Sequence, residues 1–169
     1  MILSDGTIKR MIDEGELSIR PPIEGDQLQS IGIDLRLGDT FRSMNSDNEM
    51  VRDVLTFEPD ESYQIHTLES IVLPEDVAGE VSLRSSLTRH ELDLIGGPAK
   101  VHPGFRGQVN LAVRNVGDTP ISLPIEERVA QITFYQVDNP VEQPYGAKGE
   151  SKYQDQLGPT IPDLEDILD

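Results

Sequence analysis

Six consecutive residues, Arg84-Ser85-Ser86-Leu87-Thr88-Arg89, place two guanidinium groups and three hydroxyls beside their own backbone N–H groups. Guanidinium forks bind phosphate oxygens bidentately, and short hydroxyls and amides fill the remaining lone pairs. A polyphosphate needs that combination. Six residues taken alone could equally be a solvated strand end, but their surroundings favour the first reading. The chain has 169 residues, with 14 Lys and Arg against 31 Asp and Glu, a net charge of −17. Five of its ten Arg nevertheless lie between positions 84 and 128: Arg84, Arg89, Arg106, Arg114 and Arg128. A local cationic patch in so acidic a chain points to an anionic ligand.

A second candidate is the turn-rich segment from Gly96 to Gly107, which lets backbone approach a ligand closely and carries His102. A neutral imidazole, with an unperturbed pKa of about 6.5, can serve as a base there. A plain β-hairpin is the bland alternative. His66 and His90 lie far from it in sequence, and no two of the three His have metal-ligand spacing. They read as structural. The chain has no Cys, which excludes disulfides, a thiol nucleophile and the His/Cys zinc site of zinc deaminases. Beyond Pro140, residues 145–158 hold two Tyr, two Lys and two Gln among Gly and polar residues, a composition suited to a lid over phosphates. A disordered terminus is the alternative. No P-loop and no GxGxxG are present.

The elements that must position these groups are short. Ser4 to Gly15 reads as a helix with Ile8, Met11 and Ile12 on one face. From Ile31 to Leu37 the apolar residues alternate with Gly32, Asp34 and Arg36, a half-buried strand. Residues 43–53 read as a polar loop. Strand-like pieces follow at 53–57, 63–67, 69–73, 79–83, 109–115, 120–123 and 128–137, separated by Pro and Gly. That pattern predicts an all-β fold, a barrel or jelly roll, with a short N-terminal helix and an extended C-terminal tail. One domain is expected: residues 1–143 with the helix, and 144–169 as a tail or lid of the same unit, acidic over 161–169. The negative charge argues against nucleic acid and anionic membrane as partners. No apolar run approaches the roughly 20 residues of a membrane helix, and no leader is visible, so a cytoplasmic location is expected. The Lys-poor acidic composition also suits a salt-rich cytoplasm.

Taken together, the motifs resemble the dCTP deaminases, relatives of the trimeric dUTPases, nearly end to end. Gly32-Ile33-Asp34-Leu35-Arg36-Leu37-Gly38 is similar to the first shared motif and Arg84 to Arg89 to the phosphate-binding motif. Pro103-Gly104-Phe105-Arg106-Gly107-Gln108 resembles the third and Arg128-Val129-Ala130-Gln131-Ile132-Thr133-Phe134 the fourth. Ser151-Lys152-Tyr153-Gln154-Asp155-Gln156 resembles the deaminase branch's closing tail. The resemblance implies a distorted β-barrel or jelly-roll homotrimer with sites at subunit interfaces. It implies a deoxypyrimidine nucleoside triphosphate carrying Mg2+, no metal held directly by the protein, and no zinc. By position, Arg84, Ser85, Ser86 and Arg89 would hold the phosphates, with Leu87 and Thr88 in the same nucleotide-binding segment. Gln131, Tyr145, Lys152 and Gln156 would complete the pocket, and the chain at Asn110, Leu111 and Ala112 would line base and sugar.

Two positions depart from the pattern. Where the deaminases carry the Glu that activates water and returns its proton to the leaving ammonia, this chain has Ala112. Where the dUTPases and the bifunctional members carry an Asp, it has His102, with Lys100 at the basic position two residues before. Three readings follow. The chain turns over dCTP (deamination) or dUTP (hydrolysis), with His102 as base for the latter. Or it binds the nucleotide without turnover, as a sensor, regulator or trimer partner. A purely structural trimer is the third, and the retention of Arg84, Arg89, Lys152 and Gln156 argues against it.

Overall fold

The computed structural model describes residues 1–45, 49–147 and 151–160. The helix α1 spans Asp5–Asp13 and buries Ile8 and Met11. Ser4 stands in extended backbone before it but makes no side-chain bond to the helix backbone, and Gly15 takes a φ of 77° just after its end. Among the described residues, thirteen strands and one further short helix account for the rest of the regular structure. A first sheet contains β1 (Ser18–Arg20), β4 (Thr40–Ser43), β5 (Glu49–Val51), β7 (Ser62–Val72), β9 (Leu92–Leu94) and β11 (Arg106–Asn115). Its order is β5-β4-β7-β11-β9, with β1 on the end of β7. A second sheet contains β2 (Leu28–Gln29), β3 (Gly32–Arg36), β8 (Val77–Leu83), β10 (Ala99–Val101) and β13 (Arg128–Gln136), in the order β10-β8-β13-β3-β2. β6 (Val54–Phe57) and β12 (Ile121–Pro124) form a separate ribbon. Every strand pair is antiparallel, and one hydrophobic cluster joins buried side chains of both sheets and α1. The all-β expectation holds, as a distorted fold of open sheets rather than a closed barrel.

Four local expectations are corrected. Residues 63–67 and 69–72 belong to the single strand β7, which ends one residue short of the expected 73. The loop at 43–53 contains β5, paired to β4. The strand end weighed as the alternative for Arg84 to Arg89 is a short helix, α2, over Ser85–Arg89, directly after β8. The strand at β3 is buried on both faces, not half-buried, with Gly32, Ile33, Asp34 and Leu35 all inaccessible. Gly32 is covered by the backbone of Ile132 on the neighbouring strand, which approaches so closely that a Cβ at position 32 would strike it.

A buried polar network ties the sheets together. Glu69 on β7 is fully buried, and its carboxylate accepts from Arg36 N and Arg36 Nε, each at 2.8 Å, and from Gln27 Nε2 at 2.9 Å. A buried carboxylate is tolerable only when so partnered. Next to this network, Leu37 bridges Thr67 and Gly38 N donates to His66 O at 2.9 Å. Gly38 lies against the His66 ring, and a Cβ at position 38 would fall far inside contact distance of Cε1. Gly38→Ala is therefore expected to lower stability by about 1–3 kcal/mol, the usual cost of overpacking. Urea unfolding checks this, and an unchanged midpoint would mean the turn has room that the structure does not show.

His66 itself is 4% exposed. Its Nδ1 meets Thr67 O at 2.9 Å and Asp39 Oδ1 lies 3.9 Å from Nε2. Burial lowers its pKa from the usual value, outweighing the backbone bond to Thr67 and the fields of Asp39 and Glu49, which raise it. The unfolded chain, with His near pKa 6.5, then binds more protons than the folded one below that pH. Stability from this residue is complete above about pH 6.5 and is lost as pH falls toward the depressed folded value. Melting temperatures at pH 7.5 and 5.5 should fall further for the wild type than for His66→Gln.

Candidate functional site

Two concavities hold most of the residues singled out above, and no described wall residue is common to both. The first is a recess of about 430 Å3 lined by Gln29, Asp34, Ser82, Leu83, Arg84, Ser85, Ser86 and Gln131. The second sheet builds it. Gln131 on β13 stands opposite Asp34 on β3 and opposite Ser82 on β8, so the three side chains share one face. Arg84 follows at the end of β8, where Arg84 N still donates to Val129 O at 3.0 Å, and the chain then turns into α2. Arg84 Nε lies 3.2 Å from Asp34 Oδ2, and Gln131 Nε2 donates to Asp34 Oδ1 at 3.0 Å. Arg128 Nη1 stands 3.5 Å from the same carboxylate and 2.9 Å from Asp26 Oδ1. One guanidinium, three hydroxyls and two amides thus line one recess, with Arg128 bound to the same carboxylate behind it, equipment for phosphate oxygens.

Not every residue of the six-residue motif faces it. Leu87 is buried in the core, Thr88 Oγ1 donates to Ser85 O at 3.0 Å, and Arg89 is exposed at the end of α2, outside the recess wall.

The second concavity is a cleft of about 510 Å3 between β10, β11 and the tail. Its wall includes Gln64, Lys100, His102, Phe105, Asn110, Tyr145, Lys152, Gln156 and Thr160. Lys100 and His102 are both exposed and both line the cleft, with buried Val101 between them in the chain. The Lys100 ammonium is bonded to Glu80, which raises its pKa. The His102 ring stacks on Tyr145, centroids 6.1 Å apart and planes 8° from parallel.

The tail is held on β11. Gly107 and Gln156 form a parallel bridge, Gln108 N donates to Gln156 O at 3.0 Å, and Gln156 Nε2 donates to Gln108 O at 2.6 Å. Gly107 has a φ of 145°, and a Cβ there would crowd the Gln156 backbone at 3.0 Å. Arg106 and Asp155 form a two-toothed ion pair that holds the Asp155 carboxyl below its usual pKa. Asn110 Nδ2 donates to Gln156 Oε1 and to Thr160 Oγ1, both at 2.9 Å. The expected acidic end, 161–169, lies outside the described residues, as do residues 148–150 of the tail.

Leu111 is buried in the core. Ala112 is half-buried and pairs with Gln64, on the same strand face as Asn110. Among the described wall residues of the cleft there is no Asp or Glu. Residue types alone did not single out Asp34, Gln64, Gln29 or Thr160. A charged residue inside an apolar strand was a usable signal for Asp34, because an unpartnered carboxylate is rarely buried.

The architecture is that of the dUTPase and dCTP deaminase fold. A dCTP deaminase from Agrobacterium tumefaciens superposes with a TM-score of 0.68 at 22% identity, over 79% of this chain and 47% of that one. This chain therefore spans less than half of that protein's length. A mutant dUTPase from phage phi11 of S. aureus, described with a structural Mg(II) ion, superposes with a TM-score of 0.55 at 14% identity, over 74% and 93%.

Sequence comparison narrows this. The family model described as dCTP deaminase-like matches residues 2–137. A "dCTP deaminase, dUMP-forming" from Methanosphaera stadtmanae is 34% identical, over 99% of this chain and 96% of the relative. A dCTP deaminase from Natronomonas pharaonis is 34% identical over 94% and 92%. The chain belongs to the dCTP deaminase-like family, a family of pyrimidine nucleotide metabolism.

Proposed function

We propose that this protein binds a deoxypyrimidine nucleoside triphosphate, dCTP or dUTP, at a site completed by copies of the chain, and lacks the family's deamination step. The separation of the two concavities carries the first half of the reading. The recess offers Arg84, Ser85, Ser86 and Gln131 to phosphates, and the cleft offers Asn110, Gln64 and a tail with Tyr145, Lys152 and Gln156 to base and sugar. A homotrimer, in which the recess of one copy meets the cleft of the next, would unite them. Residues 144–169 act in this reading as the closing tail of a single domain. Thr88, Arg89 and the backbone at Leu87, Leu111 and Ala112 belong to its periphery. A cytoplasmic location goes with a nucleotide ligand, and no described helix is long and apolar enough to cross a membrane.

Among the described residues no three His, Asp or Glu side chains gather to hold a metal. Mg2+ would arrive on the triphosphate and neutralise part of its charge. The chain's own part is then to bind, orient and exclude water.

Deamination adds water at C4 of cytosine and expels ammonia, so one group must take a proton and return it. The Ala112 methyl can do neither, and such transfer is worth about 10²–10⁴-fold. A second reading is favoured by one observation: His102, held against Tyr145, lines the cleft. A neutral imidazole there can accept a proton from water attacking the phosphate chain of dUTP.

Incubation of the pure protein with Mg2+ and, separately, dCTP and dUTP, read by chromatography, tests all of this. No product, with either nucleotide raising the melting temperature, is expected. Release of dUMP from dUTP alone would assign the base role to His102. A uracil nucleotide from dCTP would overturn the loss of deamination. No nucleotide effect on melting would overturn the binding site.

A further inference from the structure

Asp34 is 2% exposed and lies in an apolar strand, yet it lines a recess whose other polar wall residues are Arg84, two amides and three hydroxyls. A carboxylate beside a phosphate site is repulsive unless its charge is spent on the cations around it. Here it is. The two oxygens are divided between two tasks: Oδ1 accepts from Gln131 Nε2 at 3.0 Å, and Oδ2 lies 3.2 Å from Arg84 Nε. Arg84 is held at a second point, since its Nη1 donates to Arg128 O at 3.2 Å. The guanidinium is therefore held at two points, Nε and Nη1, while 29% of the side chain stays exposed at the recess. A free Arg loses rotamer freedom when it captures a ligand, and one already fixed has less to lose.

We infer that Asp34 is the positioning residue of the recess: it aims Arg84 and Gln131 at the ligand's phosphates and acts only through them. What the recess binds rests on the reading proposed above; how its side chains are held does not. A carboxylate is required because both neighbours are donors. Asn at this position supplies one acceptor, and its own NH2 would face Arg84 Nε or Gln131 Nε2, donor against donor.

Two measurements on the full chain decide the point. The first is the 1H–15N spectrum of arginine Nε–H groups without nucleotide. The wild type should show a protected, shifted Arg84 signal, identified by its loss in Arg84→Lys, and Asp34→Asn should move it to the position of solvated Arg. A signal unchanged in Asp34→Asn overturns the inference. The second is calorimetric titration with dUTP, dUMP and inorganic tripolyphosphate. Asp34→Asn should weaken the two triphosphate ligands by about ten- to a hundredfold, the worth of a charged hydrogen bond, and leave dUMP little changed. An equal loss for all three ligands would mean general support of the fold and would overturn the positioning role.

Arg84→Lys guards against misfolding of the first variant. It keeps a cation and the Asp34–Gln131 bond but cannot present an Nε edge, and it should show the same selective loss. Wild-type affinity in Arg84→Lys overturns the inference. A wild type that binds none of the three ligands instead overturns the reading of the recess, and the arginine spectrum still rules on Asp34.

Discussion

Ala112→Glu should release ammonia from dCTP about 10²–10⁴-fold faster than the wild-type chain, the span typical of positioned acid–base catalysis. Ala112 is the position that matches the family's Glu in the proposed reading, and its strand neighbours border the cleft. Ala112 sits on β11, on the face of Asn110 and opposite Gln64, and both of those line the cleft. It is half-buried, so a longer side chain has somewhere to extend. Ala112→Gln is the control, with the same shape and no proton to transfer, and it should gain nothing. Ammonia measured by a coupled assay separates the two. Equal rates for Glu and Gln would show that the proton-transfer position lies elsewhere.

Arg84→Ala should weaken triphosphate binding by about thirtyfold or more, from the loss of charge-assisted bonds worth roughly 1.5–3 kcal/mol each. It should also lower the melting temperature. Asp34 would keep Gln131 and the more distant Arg128 but lose its closest cation, and a buried carboxylate stripped of a partner is destabilising. Arg89→Ala makes the contrast, because Arg89 is exposed and outside the recess wall. Its effect on binding should be smaller and its effect on melting negligible. Titration with dUTP and thermal melting of both variants check the pair. If Arg89→Ala is the more damaging for binding, the ligand lies along α2 rather than in the recess.

The chemistry of the recess was legible in residue types, and its geometry was not. Two Arg and three hydroxyls in six residues announce an anion whatever their conformation, so the site survives the correction from strand end to helix α2. The turn itself depends on Arg84 O receiving Leu87 N at 2.9 Å, a local choice that six polar-rich residues do not reveal. Asp34 escaped because its partners are remote: Gln131 is 97 positions away. The continuous strand β7 was read as two because alternation fails at Ile65, His66 and Thr67, which are all buried. The cause is tertiary, since the Gly38 turn covers the outer face at His66. The half-buried reading of β3 failed for a like reason, with its polar side chains Asp34 and Arg36 covered by Arg84 and Glu69. Period-two patterning reports one covered face and is blind to a second.

The register that places Asp34, Ser82 and Gln131 side by side has a kinetic consequence. β13 must find β8 and β3, whose facing residues lie about 50 and 100 positions upstream, and such pairings close large loops before any contact rewards them. The recess consequently does not exist in any partly assembled chain that lacks one of these three strands. A polyphosphate ligand then recognises only the finished sheet. It cannot template folding, and its stabilisation is expressed as slower unfolding once the last strand is in place.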